Sequence, residues 1–217
     1  MTSTDSRAMS ERVADRLRRS ILDGEIRPGT RLLQTDVADA LGTSRLPVRE
    51  ALRMLAAEGL LELEANKGAR VPKLDAAEVT LLYRMRERLE PLAIIESLPR
   101  LGAGELERLR EIQARISADV ELRDFLALDR EFHMLTYSGC TSEHLMVLVR
   151  RFWNSTQHYR RAFMEVSGAA RRWVVDAEHG LIIDALERRD PIDAERFLAG
   201  HIRRTRTELL AHSELFH

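Results

Sequence analysis

Residues 43–64, "TSRLPVREALRMLAAEGLLELE", decide how the first third of the chain is read. Val48, Leu52, Leu55 and Ala56 recur at the spacing of one helix face and define a side turned toward a core. Arg45, Arg49 and Arg53 follow one another every four residues and look the other way. Ser44 stands where a hydroxyl caps a helix start, and Pro47 falls in the first turn, where its missing N–H removes no intrahelical bond. Gly59 ends the helix, and "LLELEANKGARVP" then alternates as two short strands around the tip "NKG".

Working outward, "SERVADRLRRSILDGEI" predicts a helix opened by Ser10, with Val13, Leu17 and Ile21 along one stripe. It stops at Asp23-Gly24, and "RPGTR" turns the chain with Pro28 and Gly29. "QTDVADAL" forms a short second helix, and Gly42 permits a sharp break before the third. A helix, a helix-turn-helix and a β-hairpin in this order make a winged helix-turn-helix over residues 1–72. After Pro72 and "KLDAAE" the pattern is helical to the end, in segments at 75–98, 102–118, 121–138, 142–165, 168–189 and 191–212. The expected fold is therefore mainly α: the winged module, then an all-helical bundle of six to seven helices over residues 73–217.

Composition narrows the function classes. With 217 residues, 44% apolar and 32% charged, the chain can bury a substantial core. Its longest apolar runs fall far short of a bilayer span, and "MTSTDSRAMSERV" has no hydrophobic stretch of a secretory signal. A single cysteine, Cys140, excludes an intrachain disulfide and suits a cytoplasmic setting. The net charge of −1 means that any polyanion-binding surface must be local.

The arginine face supplies such a surface. In a helix-turn-helix, early residues of the second helix reach base edges, and an arginine fork donates two hydrogen bonds to guanine O6 and N7. Arg45 and Arg49 are placed for that; Arg53, a turn further, meets phosphate. The plainer alternative is an exposed arginine face with Glu50 as local partner. Lys67 and Gly68 at the hairpin tip are placed against the DNA backbone or minor groove.

The run "TSRLPVREALRMLAAEGLLEL" followed by "NKGARV", with "DRLRRSILDGEIRPGTRL" upstream, resembles the DNA-binding domain of the GntR family of bacterial regulators. The resemblance implies a dimer that binds a short pseudo-palindromic operator, most often as a repressor. It implies that Arg45 and Arg49 read bases, Gly68 lies in the wing, and Ser44 and Pro47 belong to the same DNA-facing motif. One departure is that Gln34, Thr35 and Asp36 stand where some members carry an arginine, so Thr35 offers a phosphate contact only.

The helical half carries a second constellation in "FLALDREFHMLTYSG", "DAEHGLIIDALERRD" and "FLAGHIRRT". Asp129 and His133 share a helix face, and His179 and His201, 22 residues apart, suit a helix, a turn and a return. Three imidazoles and a carboxylate fit a divalent ion: zinc, with nickel and manganese as the other candidates. His144, His158, His212 and His217 read mainly as ordinary surface or core histidines. The order D-x-x-x-H, then H, then H, with "RMRERLEPLA" as first helix, resembles the FCD-type effector domain of the fatty-acid-regulator branch of GntR proteins. That resemblance implies a metal at Asp129, His133, His179 and His201 beneath a cavity for a small organic or sugar acid, with Arg86 pointing into it. In "RRFWNSTQHYRR", Asn154, Gln157 and His158 are candidate polar contacts to the effector, and Trp153 reads as core. Two alternatives stand beside this reading: a purely structural metal, and a three-histidine, one-aspartate metalloenzyme. Against the enzyme, no base or nucleophile stands out beside the ligands, and the first 72 residues would have no role.

Overall fold

The computed structural model describes residues 3–65, 68–118, 120–167 and 172–216. The chain divides into two compact units, Met1–Leu74 with Arg150–His158, and Asp75–Val149 with Tyr159–His217. The division falls at Leu74, slightly beyond the expected boundary at residue 72.

The first unit contains α1 (Ser3–Leu22), β1 (Arg31–Leu32), α2 (Gln34–Leu41), α3 (Arg45–Ala57), β2 (Glu62–Glu64) and β3 (Gly68–Arg70). The helix-turn-helix and hairpin stand where the pattern of apolar residues put them. α1 begins earlier than Ser10, because nothing in the preceding residues interrupts a helix, and Ser10 lies buried within it. Val13, Leu17 and Ile21 of α1 join Val48, Leu52 and Leu55 of α3 in one buried cluster. Arg18 Nε donates to Glu58 Oε2 at 2.7 Å and ties α1 to the end of α3. Between α2 and α3, Gly42 takes the left-handed conformation at φ 60°. Ser44 holds the extended backbone of a helix cap, but its hydroxyl makes no capping bond, contrary to expectation; the side chain is exposed.

The wing is a three-stranded antiparallel sheet in the order β1-β3-β2, with Arg31 opposite Arg70 and Leu63 opposite Ala69. β1 has only two residues, too few for alternation to reveal it in the sequence. Glu64 accepts from Arg70 Nε at 2.8 Å and pairs with Arg31 at 2.7 Å, joining the outer strands through one carboxylate. Gly68 has φ +88°, and a Cβ there would lie 2.1 Å from the Leu32 carbonyl oxygen. Glycine at this point is a steric requirement of the β1–β3 pairing.

The second unit is built from α4 (Ala76–Ser97), α5 (Ala103–Ser117), α6 (Leu122–Thr136), both flanks of α7 (Glu143–Ser167), α8 (Arg172–Glu187) and α9 (Pro191–Leu210). These match the expected helical segments to within a few residues. Asp75 and Glu78 form a reciprocal capping box at the start of α4. Asp190 accepts from the N–H groups of Ile192 and Asp193, both at 3.0 Å, and opens α9 ahead of Pro191. α4 packs along α9, α5 against α6 and α8, and α8 against α9. Their inner faces bury Tyr83, Ile94, Ile112, Phe125, Phe132, Ile182 and Leu198. At about 1.5–3 kcal/mol for each large apolar side chain, this burial holds the helices that carry the polar site. Among the described residues, no helix is long and apolar enough to cross a membrane.

Replacing Gly68 with Ala should destabilise the winged unit by about 1–3 kcal/mol, through the positive φ and the clash with Leu32. Chemical denaturation of the full chain checks this, and an unchanged midpoint would contradict the steric role.

Candidate metal centre and nucleic-acid interface

On α3 the two sides separate as the spacing requires. Val48, Leu52 and Leu55 are buried, Ala56 is partly so, and Arg45 is exposed. The side chains of Arg49 and Arg53 are 48% and 58% exposed. Glu50 Oε1 accepts from Arg49 Nε at 3.3 Å and Arg53 Nη1 at 3.2 Å, the local pairing that an exposed arginine face allows. Exposed pairs of this length contribute little and give way readily to phosphate or base edges. Pro47 is buried in the first turn of α3. The hydroxyl of Thr35, near the start of α2, donates to Asp36 at 2.9 Å. Gly68 sits at the start of β3, and Lys67 lies outside the described residues.

In the second unit, His133 on α6, His179 on α8 and His201 on α9 converge with ligand nitrogens within 4.8 Å of one another. All three are buried, and their ring centroids lie 5.0–5.2 Å apart. Phe132 stacks on His179 at 4.1 Å and closes one side.

Each imidazole is held by its Nδ1. His179 Nδ1 lies 2.6 Å from Gln113 Oε1. The Gln113 amide donates from Nε2 to Asp176 at 2.9 Å, so its oxygen is the atom that faces the ring. His201 Nδ1 lies 2.9 Å from Glu178 Oε2, a group that accepts only. His133 Nδ1 lies 3.4 Å from the Tyr137 hydroxyl, whose own proton goes to Glu90 Oε2 at 2.7 Å. Every Nδ1 therefore meets an acceptor and carries the proton, leaving the Nε2 lone pair for a metal. His179 Nε2 is buried with no hydrogen-bond partner among the described residues. A buried nitrogen in that state fits a ligand to a cation, which at about 2.0–2.1 Å from each nitrogen would draw the cage closed.

Asp129 on α6 is buried beside the cage, with Oδ1 3.8 Å from His179 Nε2. Its Oδ2 is in close ion contact with Arg160 Nη1 of α7. Burial alone would raise the Asp129 carboxyl; Arg160 outweighs it and holds the group below its ordinary value. Burial, reinforced by His201, lowers His179 to about 3. Burial, partly offset by Asp129, lowers His201 to about 4. Burial likewise keeps His133 well below 6.5. The imidazoles are thus neutral donors at neutral pH.

Arg86 lies within α4, where Glu90 Oε1 accepts from its Nε at 2.5 Å; this is a buried ion pair, not a surface one. Through Glu90 and Tyr137 it leads to His133. Asn154, Gln157 and His158 fall in the first unit, where Asn154 Nδ2 donates to the Glu58 carbonyl at 2.8 Å. Trp153 is buried, as its core reading requires.

Sequence reasoning missed Gln113, Glu178, Tyr137 and Arg160. Arg160 lies in "RRFWNSTQHYRR", where the amide and imidazole side chains drew attention instead. Gln113 and His179 are 66 residues apart, and no local spacing joins them.

Residues 81–204 match the FCD domain, and residues 9–71 match the bacterial regulatory proteins of the gntR family. The HTH-type transcriptional regulator YdhC of Bacillus subtilis (strain 168) is 28% identical over 191 residues, 86% of this chain and 84% of its own. The HTH-type transcriptional repressor RspR of Escherichia coli (strain K12) is 27% identical over 189 residues, 86% of this chain and 82% of its own. The structure of E. coli McbR/YncC matches with a TM-score of 0.82 over 98% of this chain and 99% of that one; at 21% identity this is a likeness of fold. The chain belongs to the GntR family of bacterial regulators and carries the FCD type of effector domain. It is a DNA-binding transcriptional regulator and not an enzyme, which removes the metalloenzyme alternative.

The depressed histidines give a pH dependence for the metal-free chain. Unfolded imidazoles take up protons near pH 6.5 while the buried ones remain neutral, so the unfolded state binds more protons below that value. Stability should fall as pH drops from 6.5 toward 4. Thermal midpoints recorded at about pH 7.5 and about pH 5 check the sign, and equal midpoints would contradict buried neutral histidines.

Proposed function

We propose that this chain is a cytoplasmic, homodimeric repressor whose hold on a short pseudo-palindromic operator is set by a small carboxylic acid bound near a divalent metal, zinc in the first instance. The observation that carries this reading is the cage of three buried imidazoles, each with Nδ1 engaged and one ring nitrogen of each within 4.8 Å of the others. His133, His179 and His201 hold the ion, with Asp129 as the fourth ligand beside them. When bound, such an ion supplies Lewis acidity and an open position for a carboxylate oxygen. Arg86 acts through Glu90 and Tyr137 to fix the His133 ring. Repression is supported by the relative RspR, which is named as a repressor.

Arg45 and Arg49 read base edges, while Thr35, Ser44, Arg53, Lys67 and Gly68 belong to the backbone-facing surface around them. An effector shifts operator affinity only by its differential affinity for DNA-competent and incompetent arrangements of the dimer. Ordering of the helices that carry the ligands is the change transmitted, through α4 and the connection near Leu74.

Arg49→Ala should weaken specific operator binding by about 1–3 kcal/mol and leave metal content and dimerisation unchanged. Fluorescence anisotropy on operator and random duplexes checks it; equal losses on both would contradict base reading. His179→Ala should lose metal and effector response together, judged by plasma emission spectrometry and by operator affinity across a panel of organic acids. Parental metal content in that variant would overturn the ligand assignment. A parent protein whose operator affinity no acid alters would point to a purely structural metal.

A further inference from the structure

Helix α3 ends at a crowded point of the first unit. Glu58 caps it, and Gly59 follows with φ +78°. A Cβ on Gly59 would lie 2.7 Å from Arg151 Cγ, 3.0 Å from Ser155 Oγ and 3.1 Å from the Arg151 carbonyl oxygen, all on α7. The two segments therefore approach at a distance that only glycine permits. Two side chains of the same stretch of α7 reach the main chain there. Asn154 Nδ2 donates to the Glu58 carbonyl at 2.8 Å, and the Ser155 hydroxyl donates to the Gly59 carbonyl at 3.1 Å. Arg18 of α1 grips the Glu58 carboxylate through Nε at 2.7 Å and Nη2 at 2.5 Å. The end of α3 is thus held by its main chain to α7 and by its cap side chain to α1. All of these residues belong to the first unit.

The opposite end of α3 has no such grip. The Ser44 hydroxyl makes no capping bond, and Arg45 and Arg49 stand exposed in the first turns. Arg49 precedes Ala57 by eight residues, about 12 Å of helix, so a tilt of about 5° at the far end moves it by about 1 Å. Donor–acceptor distances in a good hydrogen bond span only about 0.5 Å, so a two-pronged contact to a guanine edge does not survive that shift. The apolar cluster holds the inner side of α3; the contacts at Glu58 and Gly59 fix its direction.

We propose that the stretch Arg150–His158 of α7 is a seat that keeps α3 in reading register, with Gly59 as its contact point and Asn154 and Ser155 as positioning residues for operator binding. This rests on base reading by α3, as proposed above. Asn154 then serves the DNA-reading helix rather than an effector. Both flanks of α7 belong to the second unit, so the helix that seats α3 is also part of the effector bundle.

The test compares full-length variants by fluorescence anisotropy on a duplex that the parent selects from a random library and on an unselected duplex. Gly59→Ala should bind the selected duplex at least about tenfold more weakly than the parent. On the unselected duplex it should stay within about twofold, because attraction to phosphate depends little on register. Gly29→Ala imposes the same kind of backbone strain, at φ +81° with nothing within 4 Å, and should keep affinity for the selected duplex within about twofold. Adding Arg151→Ala to Gly59→Ala removes the nearest clashing atom and should recover at least about threefold, with Arg151→Ala alone as the reference. Parental affinity in Gly59→Ala, a matching loss in Gly29→Ala, equal losses on both duplexes, or no recovery with Arg151→Ala would each overturn the seat. Should Gly59→Ala not fold, Asn154→Ala combined with Ser155→Ala removes both hydrogen bonds and leaves the close approach intact. That double variant should lose about fivefold on the selected duplex, and parental affinity would refute the proposal. A parent that selects no duplex would instead remove the base-reading role itself.

Discussion

Three imidazoles cannot be buried together cheaply, and the second unit is organised around making that burial tolerable. Each ring must have one nitrogen satisfied, and the acceptors come from separate places: Gln113 on α5, Glu178 on α8 and the Tyr137 hydroxyl just after α6. Those acceptors are themselves fixed, Gln113 by Asp176, Glu178 by Arg204 and Tyr137 by Glu90. A half-satisfied network would cost more than an apolar core, so the apolar faces of the helices have to hold these groups in register. Phe132, next to His133 in the chain and stacked on His179, and Ile182, a helical turn beyond His179, belong to that apolar support.

The same constraint gives the site its chemical character. Low solvent exposure keeps the histidines neutral, and Nδ1 anchoring aims their remaining lone pairs inward, which is what a borderline cation requires. Asp129 adds negative charge beside them and is paired with Arg160. The winged unit answers a different physical demand. Its helix α3 buries one side and leaves arginines on the other with only weak partners, Glu50 being shared between two of them. One module thus holds charge in waiting at its surface, and the other holds donors in waiting in its interior.

Much of this is visible in the sequence, and the parts that are not share a cause. The apolar and arginine sides of α3, the four-residue step from Asp129 to His133 and the 22-residue step from His179 to His201 are local periodicities, and the structure brings the three histidines together as they suggest. β1 is too short for alternation, and Gly68 serves the β1–β3 approach for a reason that only the paired strands reveal. The hydroxyl of Ser10 suggests a helix start, whereas α1 begins at Ser3 because the residues before Ser10 contain nothing to stop a helix. Gln113 and Arg160 reach their partners across helices far apart in the chain. Ordinary side chains acquire such roles from tertiary placement, which no local pattern encodes.

X-ray absorption at the metal edge of the purified full-length protein addresses the central claim most directly. A cage of this kind predicts about one divalent ion per chain in a nitrogen and oxygen shell near 2.0–2.1 Å, with the outer-shell scattering of three imidazoles. A protein that is folded and retains no stoichiometric ion after exposure to zinc, or one whose ion lacks imidazole scattering, would contradict it.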